Sequence, residues 1–85
     1  MKINISQHAL FEMQRRKIPE EALRAVVDSP QTRMASRHGR EILQGIYFDA
    51  HLGKDMLLRV VGVYEPDGFK VITIYKTSKF DKYFI

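Results

Sequence analysis

The chain has 85 residues and no cysteine, and its 14 Lys and Arg outnumber its 10 Asp and Glu to give a net charge of +4. This length predicts a single domain over residues 1–85. The lack of cysteine excludes disulfides, thiolate nucleophiles and cysteine-ligated zinc. No apolar run approaches the roughly 20 residues that span a bilayer. We therefore expect a soluble, cytoplasmic protein with no membrane association, whose mild positive charge favours polyanionic partners.

Two helices are predicted in the first third of the chain. Ser6 is a suitable N-cap for a helix that runs to about Arg16. Lys17-Ile18 then forms a tight connection, because Pro19 suits the first position of a second helix, which ends near Asp28-Ser29. Both helices have an apolar stripe, so they are expected to form a hairpin with one apolar side.

Four segments with a period of two follow the helices, and they are predicted to be strands: Thr32–Ser36, Glu41–Phe48, Met56–Tyr64 and Phe69–Thr77. The order ααββββ predicts an α+β fold in which the N-terminal helical hairpin packs on a mainly antiparallel sheet of three or four strands. Both faces of the last hairpin are rather apolar, so the sequence does not decide which of them meets the helices. A short helix over Lys79–Phe84 is also expected, with Thr77-Ser78 as its cap.

The turn Glu65–Gly68 predicts the register of the last hairpin by pairing Tyr64 with Phe69. Counting back from that turn gives three further pairs: Val61 with Ile72, Arg59 with Ile74, and Leu58 with Tyr75. Arg59 is unusual in an otherwise aliphatic strand. Its guanidinium has to find an anion or reach the rim, because an unpaired buried charge is very costly.

The groups best suited to chemistry lie at the two ends of the chain. The last predicted strand leads into a run with a phenol, two hydroxyls and several ammonium groups, at Tyr75, Thr77-Ser78, Lys79 and Lys82. Such groups can bind and polarise a phosphodiester. His8 and Arg15 are seven residues apart, on nearly the same face of the first helix. The two clusters together indicate a small protein that acts on RNA.

These residues also form a pattern that resembles the bacterial and archaeal domain-of-unknown-function family 4258: Ser6-x-His8-Ala9-x5-Arg15-Arg16-x-Ile18-Pro19-Glu20-Glu21, Ser29-Pro30, Val71-x-Thr73-x-Tyr75-Lys76-Thr77-Ser78-Lys79 and Lys82-Tyr83. One departure is Lys17, where the family commonly has Gly. That family is similar in predicted layout to small RNase toxins of the barnase, colicin and RelE type. The resemblance implies a metal-independent endoribonuclease without cofactors, acting as the toxin of a toxin–antitoxin pair, with RNA and an antitoxin protein as its partners.

Cleavage of RNA without a metal requires a base for the 2′-OH, an acid for the leaving oxygen and cations for the developing charge. His8 is a candidate base or acid, and Arg15 is a candidate phosphate ligand. Lys79 is a candidate phosphate cation or acid, and Tyr75 is a candidate acid or a stacking platform. The candidate substrate-binding residues are Arg16, Arg59, Thr77, Ser78 and Lys82. We expect His8, Arg15 and the segment Tyr75–Lys79 to converge on one cleft.

Structural interpretations of the same residues stay open. His8 can pair with Glu12, Arg15 and Arg16 can be a solvated last-turn pair, and Tyr75 can be an aromatic at the core edge. Two other functions are therefore considered. One is a non-catalytic RNA- or protein-binding module that uses the same basic rim. The other is an interaction domain whose sheet edge pairs with an antitoxin strand or with a second copy in a homodimer.

Overall fold

The structure is a computed structural model that describes residues 1–83. Its elements in chain order are β1 (Lys2–Ile5), α1 (Gln7–Arg16), α2 (Glu20–Asp28), β2 (Thr32–Ala35), β3 (Glu41–Asp49), β4 (Lys54–Glu65), β5 (Gly68–Thr77) and α3 (Phe80–Tyr83), with one 3-10 turn at Arg37–Gly39. The predicted α+β class is confirmed. Within residues 1–83, no helix has the length and apolar character needed to cross a membrane.

The sheet has five strands in the order β1-β5-β4-β3-β2. All neighbours are antiparallel except β1 and β5, which run parallel. The predicted order ααββββ, with three or four strands, is therefore wrong because it omits β1. The four residues Lys2–Ile5 give only a short alternating pattern, and their partner β5 lies at the far end of the sequence. Local patterning does not reveal a strand of this kind.

The start of α1 is attached directly to β5. The Ser6 hydroxyl accepts a hydrogen bond from the Ala9 amide at 3.0 Å, which confirms Ser6 as the N-cap. The same hydroxyl donates to the carbonyl of Ile72 at 3.0 Å, and the Ser6 amide donates to the carbonyl of Val71. The first turn of α1 therefore has a fixed position beside the middle of β5.

Lys17 ends α1 in a left-handed backbone conformation, with φ 56° and ψ 49°. Its amide donates to the carbonyl of Gln14 at 3.3 Å, so the left-handed turn satisfies a carbonyl at the helix end. Pro19 then lies immediately before α2 in an extended conformation rather than as the first residue of that helix. At position 17 the chain has Lys where the resembling family commonly has Gly, so a side chain stands at a left-handed position that favours glycine.

Replacing Lys17 with Gly should raise the free energy of unfolding by about 1 kcal/mol, because a residue with a Cβ is strained in the left-handed region and glycine is not. Urea denaturation of the two proteins measures the difference. Lys54→Gly is the control, since Lys54 is exposed and lies in a strand, where glycine costs stability. A Lys17→Gly variant as unstable as the control contradicts the assignment of strain.

The hydrophobic core lies between the two long helices and one face of the sheet. α1 packs on β5, and α2 packs on β3 and β4. In β4 the residues that face the helices are Leu58 and Val60, with Leu43 beside them in β3 and Phe69 and Val71 in β5. This settles which face of the last hairpin meets the helices. Because side chains alternate along a strand, Arg59 lies on the opposite face.

A β-bulge in β5 changes the register of the last hairpin. Tyr64 pairs with Phe69 as predicted, but the three predicted pairs beyond it are each wrong by one residue: Val61 is opposite Thr73, Arg59 opposite Tyr75, and Leu58 opposite Lys76. The extra residue is Ile72, which enters between the partners of Val61 and Gly62. A Cβ on Gly62 would lie 2.1 Å from the carbonyl oxygen of Lys70, so only glycine fits there. The shift places Arg59 next to Tyr75.

Candidate functional site

A row of polar side chains crosses the face of the sheet opposite α1 and α2. We call this the α3 face, because α3 is the helix that contacts it. Thr32, Gln44, Arg59 and Tyr75 are successive register partners on β2, β3, β4 and β5, and we call them the polar row. Thr73, two residues before Tyr75 in β5, belongs to the neighbouring row. The polar row is the structural basis of the candidate site.

Arg59 lies in the middle of this row and is 6% exposed. Its guanidinium carbon is 4.1 Å from the ring centroid of Tyr83 and 5.6 Å from that of Tyr75, and the two rings meet edge to face at 6.5 Å. These cation–π contacts stabilise the charge in part. The ion pairs formed among residues 1–83 do not include Arg59, and its Nε has no hydrogen-bond partner there. Within the described residues the buried guanidinium therefore has no anionic partner, although a buried charge is costly without one.

Gln44 connects the polar row to α3. Its side chain is fully buried, and its Nε2 donates to the Thr32 hydroxyl at 2.8 Å and to the carbonyl of Tyr83 at 3.1 Å. Its Oε1 has no donor among residues 1–83. The amide therefore fixes the last described residue over Arg59 and leaves one buried acceptor unused.

A cavity of about 420 Å³ opens at this point between β2, the polar row and α3, and it is lined by Thr32, Met34, Gln44, Arg59, Lys82 and Tyr83. The ammonium of Lys82 is 5.3 Å from the centroid of the Tyr83 ring, so a second cation accompanies Arg59. The cavity combines positive charge with an aromatic wall. Proteins that bind single-stranded nucleic acids commonly combine these two properties.

His8 lies at the border of the α3 face. Its Nε2 is 3.2 Å from the hydroxyl of Thr73, at a point on β5 beyond the end of β1. Thr73 precedes Tyr75 by two residues, which is roughly 7 Å along a strand. The alternative pairing of His8 with Glu12 does not occur, because both Glu12 oxygens accept from Arg15 and Arg16. The exposed imidazole is therefore next to the polar row, and no carboxylate of residues 1–83 is bound to it.

Arg15 and Arg16 both form ion pairs with Glu12. Arg15 Nε is 2.8 Å from the carboxylate and Arg16 Nε is 3.3 Å from it. The hydrogen bond from Arg15, with smaller contributions from Arg16, lowers the pKa of Glu12 to about 2. The side chain of Arg15 is 53% exposed, so this pair contributes little to stability. A role of either arginine in binding substrate stays a prediction.

The segment after β5 forms the turn into α3. The Thr77 hydroxyl accepts a hydrogen bond from the Lys79 amide at 3.0 Å, and Ser78 and Lys79 are exposed. The predicted helix over Lys79–Phe84 is observed as Phe80–Tyr83, and Phe84 lies outside the described residues. The structure thus brings Arg59, Tyr75 and Lys82 into one cluster and leaves Lys79 on the turn beside it.

Two residues of this cluster were not predicted as site residues, Gln44 and Tyr83. Gln44 lies on the face of β3 that points away from the helices. Its position next to Leu43, which faces the core, predicts this face by alternation, but it does not predict that the Gln44 side chain is buried. Tyr83 was part of the sequence pattern without a role. Both become recognisable only when α3 is placed on the sheet.

A buried ion pair lies next to Tyr75, near the C-terminal end of β5. Asp49 is 2% exposed and accepts hydrogen bonds from the Lys76 ammonium, the Tyr47 hydroxyl, and the amides of His51 and Leu52. The hydrogen bond from Lys76 lowers the pKa of Asp49 to about 2 despite the burial of the carboxylate. Lys76 is therefore a structural residue, in contrast to Lys79 and Lys82.

Replacing Asp49 with Asn should lower the free energy of unfolding at pH 7 by about 3 kcal/mol, because it leaves the Lys76 ammonium buried without a partner. A carboxylate with a lowered pKa stabilises the fold above its unfolded pKa of about 4, and this stabilisation disappears as the pH falls towards 2. The difference between wild type and variant should therefore shrink over that range. Urea denaturation at several pH values measures it, and a constant difference contradicts the assignment.

No curated protein and no solved structure matches the chain. The family model described as domain of unknown function (DUF4258) matches residues 5–76, which include His8, Gln44, Arg59 and Tyr75. The chain therefore belongs to the DUF4258 family of domains of unknown function.

Proposed function

We propose that the protein is a metal-independent endoribonuclease that cleaves RNA on the α3 face by attack of the 2′-OH on the adjacent phosphorus. The observation that supports this most strongly is Arg59, a buried guanidinium that has aromatic rings around it and no carboxylate partner among residues 1–83. A phosphodiester in the cavity supplies the missing anion. The net charge of +4 favours the approach of a polyanion.

Arg59 and Lys82 are proposed to hold the reacting phosphate. The guanidinium can donate two parallel hydrogen bonds to phosphate oxygens, and its shielded position strengthens that interaction relative to water. Negative charge increases on these oxygens as the 2′-oxygen adds to phosphorus. Preorganised cations therefore stabilise the transition state more than the bound substrate. Lys79, on the adjacent turn, contributes a further cation at the rim.

His8 and Tyr75 are proposed to move the protons. His8 accepts the proton of the 2′-OH while the 2′-oxygen forms a bond to phosphorus and the bond from phosphorus to the 5′-oxygen breaks. Tyr75, whose ring lies beside Arg59, donates a proton to the leaving 5′-oxygen, with Lys79 as the other candidate acid. The products are a 2′,3′-cyclic phosphate and a free 5′-hydroxyl. His8 contacts Thr73, which is roughly 7 Å along β5 from Tyr75.

Purified protein should cut an RNA oligonucleotide in the presence of EDTA and leave a 2′,3′-cyclic phosphate or a 3′-phosphate. The control is the same oligonucleotide with 2′-deoxyribose at every position, which lacks the nucleophile and should stay intact. Binding of RNA without cleavage contradicts the enzyme and favours a non-catalytic RNA-binding module that uses the same face. A lack of both binding and cleavage overturns the proposal for RNA altogether.

We further propose that the enzyme is the cytoplasmic toxin of a toxin–antitoxin pair. An acidic antitoxin segment is suited to cover the α3 face, because Arg59 and Lys82 are the groups that RNA also requires. Expression of the protein alone in bacteria should stop growth, and expression of Arg59→Met should not. Normal growth with folded wild-type protein present contradicts the toxin proposal.

A further inference from the structure

Two buried polar atoms without partners lie on neighbouring residues of the polar row. Arg59 Nε is a donor and Gln44 Oε1 is an acceptor, and neither has a hydrogen-bond partner among residues 1–83. Gln44 and Arg59 are register partners on adjacent strands, and both line the 420 Å³ cavity. Both residues are more than nine-tenths buried, so bulk water does not satisfy these atoms. The cavity therefore offers one donor and one acceptor side by side.

The orientation of the Gln44 amide is fixed by its neighbours. Its nitrogen faces the carbonyl of Tyr83, which can only accept a hydrogen bond, so the amide cannot be turned over without placing two acceptors against each other. Among residues 1–83 no donor reaches the oxygen that remains, so a ligand can supply one. A phosphodiester has only acceptors at neutral pH, so it can pair with Arg59 but cannot satisfy Gln44. A second kind of group is needed beside the phosphate.

We propose that this cavity is a base-recognition site in which one nucleobase accepts from Arg59 and donates to Gln44 Oε1. Base edges present donors next to acceptors, and unpaired RNA bases are commonly read by hydrogen bonds together with stacking on aromatic side chains. Tyr83 and Met34 supply an aromatic and an apolar wall for the flat faces of the base. This inference rests on the proposed function for its ligand, and it adds that cleavage is selective for the nucleotide in the cavity.

Tyr83 and Lys82 form the side of the site that belongs to α3. The Tyr83 ring lies over Arg59, with its centroid 4.1 Å from the guanidinium carbon. Lys82 lies beside the ring and lines the same cavity, where it can contact the phosphate of the nucleotide that is being read. α3 therefore forms one wall of the site, and the polar row forms its floor.

Calorimetric titration with the four 2′-deoxynucleoside 3′-monophosphates tests the inference, with inorganic phosphate as the reference ligand. None of these compounds has a 2′-OH, so binding is measured without cleavage. At least one nucleotide should bind roughly 5- to 150-fold more tightly than the weakest of the four, as expected for a well-formed pair of hydrogen bonds to a base edge. Gln44→Met, which removes the acceptor at similar volume, should bring the four affinities together.

Equal affinities for the four nucleotides and for phosphate in the wild-type protein overturn the inference. This wild-type series decides the matter even if Gln44→Met fails to fold. Base-selective binding by a protein that does not cut RNA sustains the site and rejects the nuclease. Cleavage of RNA without any base preference keeps the nuclease and rejects the base-recognition site. The two proposals therefore fail on different results.

Discussion

Replacing Arg59 with Met is expected to make the protein more stable and nearly inactive. Arg59 is a buried cation that is paired with no carboxylate among residues 1–83, and apolar replacements of buried charged groups are often stabilising by about 1–4 kcal/mol. Methionine has a flexible, unbranched chain that can replace the aliphatic part of the arginine side chain, and its sulfur packs well against aromatic rings such as Tyr83. The rate of RNA cleavage should fall by roughly 10²–10³-fold, because a preorganised donor to the developing charge is lost.

Urea denaturation and single-turnover cleavage measure the two effects on the same preparation. Arg24→Met is the matched control, since Arg24 lies on α2 in an exposed ion pair with Glu20 and is 50% exposed. It should change stability by no more than about 0.5 kcal/mol and leave cleavage unchanged. An Arg59→Met protein that unfolds easily would show that Arg59 is a structural residue. A stable variant with full activity would place the active site elsewhere.

Replacing His8 with Ala is expected to slow RNA cleavage by roughly 10²–10⁴-fold, the usual effect of losing a positioned acid or base. His8 is exposed and its one side-chain hydrogen bond in the described chain is with Thr73, so stability should change by less than about 0.5 kcal/mol. The affinity for an uncleavable 2′-O-methyl RNA should stay within a factor of two or so. Loss of rate with retained binding separates a proton-transfer role from a phosphate-binding role.

His51→Ala is the matched control for this variant, because His51 is also exposed but lies on the connection between β3 and β4. Its cleavage rate should equal that of the wild type. Unchanged cleavage in His8→Ala would keep the enzyme and reject His8 as its base. A parallel fall in rate and RNA affinity would instead make His8 a binding residue.

The parts of the fold that have local signals could be predicted from the sequence. Ser6 marks the start of α1, Pro19 precedes α2, and the turn Glu65–Gly68 precedes β5, so these elements lie within one or two residues of their predicted bounds. β1 could not be predicted, because it is a strand only by virtue of its parallel pairing with β5. The sequence between them gives no sign that the two segments meet.

The register of the last hairpin could not be predicted for a different reason. Val71-Ile72-Thr73-Ile74 is an unbroken run of residues that favour strands, so nothing in it marks Ile72 as an extra residue. Gly62 opposite the bulge was the one available signal, because glycine in a strand often marks close backbone approach. Missing it placed Arg59 opposite Ile74 and hid the contact of Arg59 with Tyr75.

The site itself was only partly predictable. Arg59 could be identified because a charge in an aliphatic strand needs an explanation, and Tyr75 and Lys82 because phenols and ammonium groups cluster near the end of the chain. The pairing of Arg15 with Glu12 follows from their spacing of three residues in a helix and was available from the sequence. The contact of Gln44 with Tyr83 was not, since it joins β3 to α3 across the sheet.

NMR spectroscopy of the protein with a 2′-O-methyl RNA oligonucleotide is the most direct test of where RNA binds, because this ligand cannot be cleaved. The Nε–H signal of Arg59 and the side-chain amide of Gln44 should shift strongly and saturate together with backbone signals of Thr73–Thr77. This result is expected if the polar row and the border of the α3 face form the binding surface. Shifts confined to α1 and α2, with the Arg59 and Gln44 side chains unchanged, would contradict it.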